Sequence, residues 1–430
     1  MSISHLSTAS ARRDLKSRIA ASETEFRRGW PAVLACFCVA VFAWGFGFYG
    51  QAVFLAELHR THGWPTSTIG AATTVFYLCG ALLMPFIQQT LDRTGARSLL
   101  IGGVLLLGLG AAGFSNAAQP WQLFVAGVVM AAGWAASSGP AIATILALWF
   151  DRRRGFAISL ALNGASASGF TIAPLLVHLS QTIGLQRAVV ETVLAGWIIL
   201  IPIVLYCARP GTAALPSVIM PTRTGPDGRS DTLRSWHFWS VALPFALAIA
   251  AQVGFIVHMV AYLLPLLGAA GTGAAVMCSS LAAMVGRLGL GAVIDRLPRR
   301  ATTAVCFASQ ACGLGLLLAM PDSAAATYLG IALFGLSVGN VITLPAVIVH
   351  AEFSAASFGL IIGLSGAITQ FALALAPGAF GMLHDLTGNY DAVLLVCIGL
   401  QLVGAGLVLC RRRGGSIAGP GLRRRSRRSA

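Results

Sequence analysis

Charge is the scarcest property of this chain. Only 10% of its 430 residues are Asp, Glu, Lys or Arg, whereas a soluble domain carries about 25%. A surface so poor in charge excludes a chain that folds freely in water. The few charges are lopsided as well, 29 basic against 14 acidic, for a net charge of +15. That excess does not point to nucleic acid, because the basic residues fall in short clusters between apolar runs and build no basic face. Cysteine chemistry is missing too. None of the nine cysteines forms a CxxC and nearly all sit inside apolar runs, so neither a metal site nor a disulfide framework is expected. No phosphate-binding glycine loop follows a strand pattern, and no Ser/His/Asp cluster stands out. An enzyme is therefore not expected, and no cofactor. Residues 1–29 lack the apolar stretch of a cleavable leader and are expected to stay in the cytoplasm.

Apolar length is what the chain has instead. Hydrophobic residues make up 57% and the mean hydropathy is +0.80. Runs long enough to cross about 30 Å of hydrocarbon fall at 32–58, 66–90, 98–116, 121–148, 155–182, 188–208, 236–267, 271–294, 302–320, 325–349, 356–383 and 391–410. Open sheets cannot satisfy their backbone groups in lipid. The expected fold class is thus an all-α membrane protein with twelve transmembrane helices. The 49 glycines suit close helix approach, and turn signals such as Gly63-Trp64-Pro65 and Pro321-Asp322 separate the runs.

The basic residues then orient the helices. All but three of the 29 lie in the two tails, in alternate turns or in the loop at 209–235; Arg60 and Arg187 lie on the other side. Positive residues stay inside, so both termini and that loop are expected to be cytoplasmic, in a cytoplasmic (inner) membrane. The expected organisation is a tail at 1–29, a six-helix bundle at 30–208, a Pro- and Gly-rich linker at 209–235, a second bundle at 236–410 and a basic tail at 411–430, beside anionic lipid. A monomer is expected. The bundles read as a duplication with an offset of 203, which relates Gly70 to Gly273, Asp92-Arg93 to Asp295-Arg296, Arg97 to Arg300, Phe150 to Phe353 and Pro174 to Pro377.

The remaining basic residue is Arg287. It stands eight residues before Asp295, about 12 Å along a helix, well inside the hydrocarbon. A cation there costs roughly 2.5–3.5 kcal/mol on the lenient insertion scale, so something must compensate for it. Its repeat partner is Met84, which means the duplicated scaffold does not require a charge. A ligand is one candidate, and backbone carbonyls or snorkelling are the structural alternative. A guanidinium fork suits a carboxylate.

Two turns carry a family resemblance. Leu91-Asp92-Arg93-Thr94-Gly95-Ala96-Arg97 and Gly291-Ala292-Val293-Ile294-Asp295-Arg296-Leu297-Pro298-Arg299-Arg300 resemble the G-x-x-x-D-R-x-G-R-R signature of the major facilitator superfamily; the first copy departs at Gln88. The resemblance implies two pseudo-repeated six-helix bundles and a cytoplasmic gate at Asp92, Arg93, Arg97, Asp295, Arg296 and Arg300. Further stretches, Arg28-Gly29-Trp30, Tyr49-Gly50, Gly63 to Ser67, Trp149 to Gly155 and Asn163 to Pro174, are similar to the branch of monocarboxylate transporters and oxalate–formate antiporters. In that branch an arginine on helix 8 binds the substrate carboxylate, with glycine four and a polar residue eight positions later. Arg287, Gly291 and Asp295 match. The lysine that oxalate antiporters carry on helix 11 has no counterpart here, nor has the lysine low in helix 1 of eukaryotic carriers. The resemblance thus implies a small organic monoanion, moved by proton symport or by exchange.

Other polar residues fall near the membrane midplane. Tyr49 and Gln51 in the first run, Gln252 and His258 in the seventh, Asn340 in the tenth and Gln370 in the eleventh are candidates to line the substrate path; each could equally be interhelical glue. His258 could carry a proton or simply pack neutral. Glu57, His59, His62, Asp385 and Asp391, at the ends remote from the basic clusters, read as solvated surface, with an outer gate as the alternative for Glu57. Export of a neutral drug or metabolite, and a transporter-like sensor that binds without turnover, stand as alternatives.

Overall fold

A computed structural model describes residue 27 and residues 29–150, 153–207, 232–354 and 357–410. Expectations for the N-terminal tail, the basic tail and most of the linker fall outside the described residues. Ten helical runs are long and apolar enough to cross a membrane. Two of them, Thr66–Ser115 with 50 residues and Trp236–Val293 with 58, would stretch about 75 and 87 Å if straight, more than twice the hydrocarbon thickness. Each is broken once, at Gly95 (φ 77°) and at Gly268 (φ 65°), where glycine alone accepts the backbone conformation without strain. The described residues therefore make twelve crossings. They are α1 (Gly29–His62), α2 (66–94), α3 (96–115), α4 (Pro120–Leu146), α5 (Arg154–Thr182), α6 (Leu185–Cys207), α7 (236–267), α8 (269–293), α9 (Arg299–Ala319), α10 (Ala324–Glu352), α11 (Phe358–Thr387) and α12 (Asp391–Leu409). No strand occurs among the described residues.

Three helices are irregular, and local chemistry explains each. In α1 the segment Gly45–Tyr49 is a π-turn, closed by the Gly50 N–H on the Gly45 carbonyl. In α4 the chain leaves helical geometry at Ser138 (ψ 179°), two residues before Pro140. In α5 it does so at Thr171 (ψ −75°), three residues before Pro174. A proline removes one backbone donor and crowds the carbonyl four residues earlier. Irregular backbone at membrane depth is tolerated where it lines a cavity or lies inside protein.

One face carries Arg93, Arg97, Arg153, Arg154, Arg296, Arg299 and Arg300 and is called the basic face. At the other face the two halves are sewn together. The Asp385 carboxylate on α11 accepts from the Thr66 N–H (3.1 Å), the Thr66 hydroxyl (2.8 Å) and the Ser67 N–H (2.8 Å) at the start of α2. Thr66 also donates to the Gly381 carbonyl at 3.0 Å, and the Gly378 N–H donates to Thr74 at 3.2 Å. Asp385 is exposed, as expected from its position, yet its carboxylate is engaged. Its negative charge satisfies free donors at the positive end of a helix from the other half. Glu57 is a correction to the solvated reading: it is 1% exposed and accepts from Arg60 (2.8 Å) and from Gln181. Asp391 is exposed, as expected.

The repeat offset has a spatial counterpart in this seam. Gly70 packs on the Pro377 carbonyl, and Gly273 packs on Pro174, where an added Cβ would stand 3.6 Å away in ordinary contact. Both glycine–proline pairs related by the offset therefore meet, one on each side of the pseudo-axis. Phe150 and Phe353 likewise pack on the first turn of the first helix of their own half, on Gly29 and on His237 respectively.

Candidate substrate site

Arg287 on α8 lies between the halves. Its Nη1 reaches the Ser166 hydroxyl of α5 at 3.5 Å, the limit of a hydrogen bond, and its buried Nε has no hydrogen-bond partner within the chain. No carboxylate lies within 4.0 Å of it among the described residues. Side chains on a helix lean towards its N-terminus, so the guanidinium points away from the basic face. Gly339 on α10 makes room for it, since a methyl group there would sit 2.7 Å from Nε. Tyr49 completes the group. Its hydroxyl lies near Ser280 and Arg287, and its ring lies against Gly169, where an added Cβ would also strike Ser280. The π-turn immediately before Tyr49 sets the angle of that side chain; such turns recur at functional sites.

A cavity of about 410 Å³ is lined not by this cluster itself but by residues close to it in the chain. The same ordering recurs on three helices. Phe48, Leu162 and Val341 line the cavity, while Tyr49, Ser166 and Gly339 beside them face Arg287. Trp44, Tyr77, Trp134 and Phe245 supply most of the aromatic wall. Ser138, at the break in α4, and Gln252 and Gln370 supply polar atoms.

The candidate residues thus divide. Arg287 and Tyr49 come together, and Gln252 and Gln370 share the cavity. The other three are engaged elsewhere. Gln51 is fully buried; it accepts from Thr73 at 2.9 Å and donates to the Phe46 carbonyl at 3.3 Å. Asn340, 5% exposed, donates back to the Leu336 carbonyl of its own helix at 3.2 Å. His258, 1% exposed, places Nε2 3.1 Å from the Pro377 carbonyl and Nδ1 3.4 Å from the Tyr390 hydroxyl. Gln51 and His258 thus join helices, whereas Asn340 bonds within its own.

The six gate candidates lie on the basic face. Asp92 is exposed and accepts from Gln88 at 2.8 Å, so the residue standing at the signature's leading glycine is its partner. Arg93 and Arg296 are exposed, Arg97 is half-buried, and Asp295 lies in the 3₁₀ turn Ile294–Arg296. Arg300 differs. It is 9% exposed and makes a two-pronged ion pair with Glu352 (2.8 and 2.8 Å). It also donates to Ser240 Oγ (3.0 Å) and to the Val408 carbonyl (2.9 Å), which ties α7, α9, α10 and α12 together. Glu352 carried no sequence signal beyond being an acidic residue at a helix end.

Twelve helices in two related halves, joined on one face, with a half-buried cation and a cavity between them, define a membrane transport protein. The family model described as Major Facilitator Superfamily matches residues 35–377, and the chain belongs to that family. It is 26% identical over 408 residues to monocarboxylate transporter 3 of Rattus norvegicus, covering 89% of this chain and 79% of that one. It is 29% identical over 337 residues to monocarboxylate transporter 11 of Mus musculus, covering 73% and 72%. The crystal structure of the nucleoside transporter NupG superposes with a TM-score of 0.71 at 11% identity, over 88% of this chain and 98% of that one. Family and branch thus agree with the sequence resemblance, and the structural likeness concerns the fold.

Proposed function

We propose that this protein is a secondary active transporter that moves a small organic monoanion across the cytoplasmic (inner) membrane by alternating access, coupled to protons or to a second anion. One observation carries the reading: Arg287 sits half-buried between the halves, its Nε buried and unpartnered and no carboxylate beside it, on a scaffold whose repeat places Met84 at the same point. An unpaired cation at that depth is stable only with a partner, and a substrate carboxylate is one that comes and goes. The names of the monocarboxylate transporter relatives support the same class. The basic face is the cytoplasmic one by the positive-inside rule, so the described state is open inward.

In the mechanism, the carboxylate enters from the cavity and takes the Arg287 fork, with Tyr49 orienting it. Neutralising Arg287 lowers the barrier to closing the halves over the site, because an ion pair is less costly to desolvate than a lone cation. The seam at Asp385 then parts and the basic face closes, with Asp92, Arg93, Arg97, Asp295 and Arg296 as its latch and Arg300 as the anchor that holds α9 in place. Export of a neutral compound is the second reading, favoured by the apolar wall of the cavity. A panel of small carboxylates and their methyl esters, read by thermal stabilisation, separates the two. Ligands that bind the folded state raise its stability by mass action. The acids are expected to stabilise the wild type and not Arg287→Ala; esters that stabilise as well as acids would overturn the monoanion reading.

A further inference from the structure

The cavity wall holds two polar groups that the fold leaves unsatisfied. Among the described residues, Ser138 Oγ and Gln252 Nε2 are buried with no hydrogen-bond partner within the chain. Ser138 is 1% and Gln252 0% exposed, and both belong to the wall of the same cavity. They come from opposite halves, Ser138 from the break in α4 and Gln252 from α7. A buried donor without a partner is destabilising, so two at one cavity mark where a ligand supplies the missing atoms.

The sign of the Gln252 group is fixed by a chain of amides. The Ala248 carbonyl can only accept, so the Gln401 atom 3.1 Å away must be its NH₂. The same Nε2 lies 2.5 Å from Gln310, which must present its oxygen there. Gln310 then turns its own NH₂ to Gln252 at 2.7 Å, and Gln252 must accept with Oε1. The free atom of Gln252 is therefore Nε2, a donor. An amide that could flip would offer either polarity; this one is locked from α12 through α9 to α7, and each bond polarises the next. Ser365, Thr369 and Gln370 add polar atoms from α11, and the rest of the wall is aromatic and aliphatic, with Trp44, Phe48, Tyr77, Trp134 and Phe245 as its aromatic members. A volume of about 410 Å³ far exceeds what a three-carbon acid fills and matches the lower range of sites for drug-sized ligands.

We propose that this cavity binds the body of the substrate, and that the substrate is a monocarboxylate with a ring-sized apolar body bearing an oxygen that accepts a hydrogen bond from Gln252. This rests on the reading of Arg287 as the carboxylate site. Gln252 is then a specificity-determining residue, and Gln310 and Gln401 are positioning residues that act through it. Ser138 supplies a second, rotatable hydroxyl from the other half, so one ligand bridges both halves while they move.

Matched probes test this in the purified full-length protein: 4-oxo-4-phenylbutanoate, 4-phenylbutanoate, the methyl ester of each, and lactate, with affinities read by calorimetry and thermal shift. The oxo acid is expected to bind about ten-fold tighter than its methylene analogue, the value of one hydrogen bond to an otherwise unpaired buried donor, and both to bind tighter than lactate. Gln252→Met should reduce the oxo preference to about one while retaining the tighter binding of phenyl acids over lactate. Gln310→Leu, which unlocks the Gln252 amide, should reduce the preference without touching the cavity wall. Ser138→Ala gives an independent check in a variant that loses only one oxygen, and it should weaken the oxo acid more than lactate. If lactate binds as tightly as the phenyl acids, or the oxo preference is absent in the wild type, the inference fails while the carboxylate site stands. If the esters bind as well as the acids, the Arg287 reading itself fails, and this inference falls with it.

Discussion

Removing the Asp385 carboxylate should release the seam that holds the described state closed at the face opposite the basic one. Three donors from the other half converge on it at 2.8–3.1 Å, two of them backbone N–H groups at the start of α2. A hydrogen bond to a charged group contributes about 1.5–3 kcal/mol when protected from water. Here the side chain is 25% exposed, and in the alternate state water replaces each partner. Taking well under 1 kcal/mol net per bond, with a few tenths for charge at the helix N-terminus, gives about 2 kcal/mol. That corresponds to a shift of roughly thirty-fold in the ratio of the two states. Asp385→Ala should show the full shift towards the state open at this face. Asp385→Asn keeps one acceptor, loses the charge and should show about half the free-energy change. Hydrogen–deuterium exchange reads this without labels. Amides at 66–70 will exchange faster trivially, since their acceptor is gone. The informative segments are 171–178 on α5 and 270–280 on α8, which meet at Pro174 and Gly273 and which the substitution does not touch. Faster exchange there means the halves rock as bodies. Acceleration confined to 66–70 would refute Asp385 as a latch and leave it a local cap.

Two further substitutions test the packing. Gly70→Ala drives a methyl group into the Pro377 carbonyl, whereas Gly273→Ala meets Pro174 at an ordinary 3.6 Å; the first should open the seam by hydrogen exchange and the second should not, and equal behaviour would contradict the described closure. Arg300→Ala takes the two-pronged partner from Glu352, whose side chain is 12% exposed. Breaking a buried pair costs about 3–5 kcal/mol, and the other contacts of Glu352, His237 at 3.6 Å among them, should hold the loss near the lower end. A clear fall in melting temperature is expected, together with retained ligand binding; an unchanged melting temperature would contradict the anchoring role.

How far the sequence disclosed this protein differs by feature, for physical reasons. Membrane crossing is a property of whole segments, so the twelve helices followed from length and apolarity, and even the breaks at Gly95 and Gly268 fell between expected runs. The repeat offset correctly paired Gly70 with Gly273 and Pro174 with Pro377, but only the structure shows that the glycine of one pair meets the proline of the other. Arg287 stood out because charge is rare at that depth. Polar residues without charge gave no such contrast. Gln51, Asn340 and His258 read like Gln252 and Gln370, yet they are engaged within the bundle, because helix rotation and not depth decides which side chain reaches a cavity. The π-turn at Gly45–Tyr49 shifts that rotation in α1, and no periodicity argument anticipates it, although the spacing Gly45, Gly47, Gly50 marks an unusual segment. Ser138 was legible only as part of Ser138-Gly139-Pro140, a breaker inside an apolar run. The engagement of Asp385 and the burial of Glu57 were not legible because their partners, Thr66 and Gln181, are remote in sequence.

The central claim is that Arg287 is the counter-charge of a transported carboxylate, and uptake into proteoliposomes tests it most directly. Wild-type protein should accumulate a radiolabelled monocarboxylate from the stabilising panel. Arg287→Ala, matched for expression and melting temperature, should show no uptake above empty vesicles. Uptake by Arg287→Ala at normal apparent affinity would contradict the account.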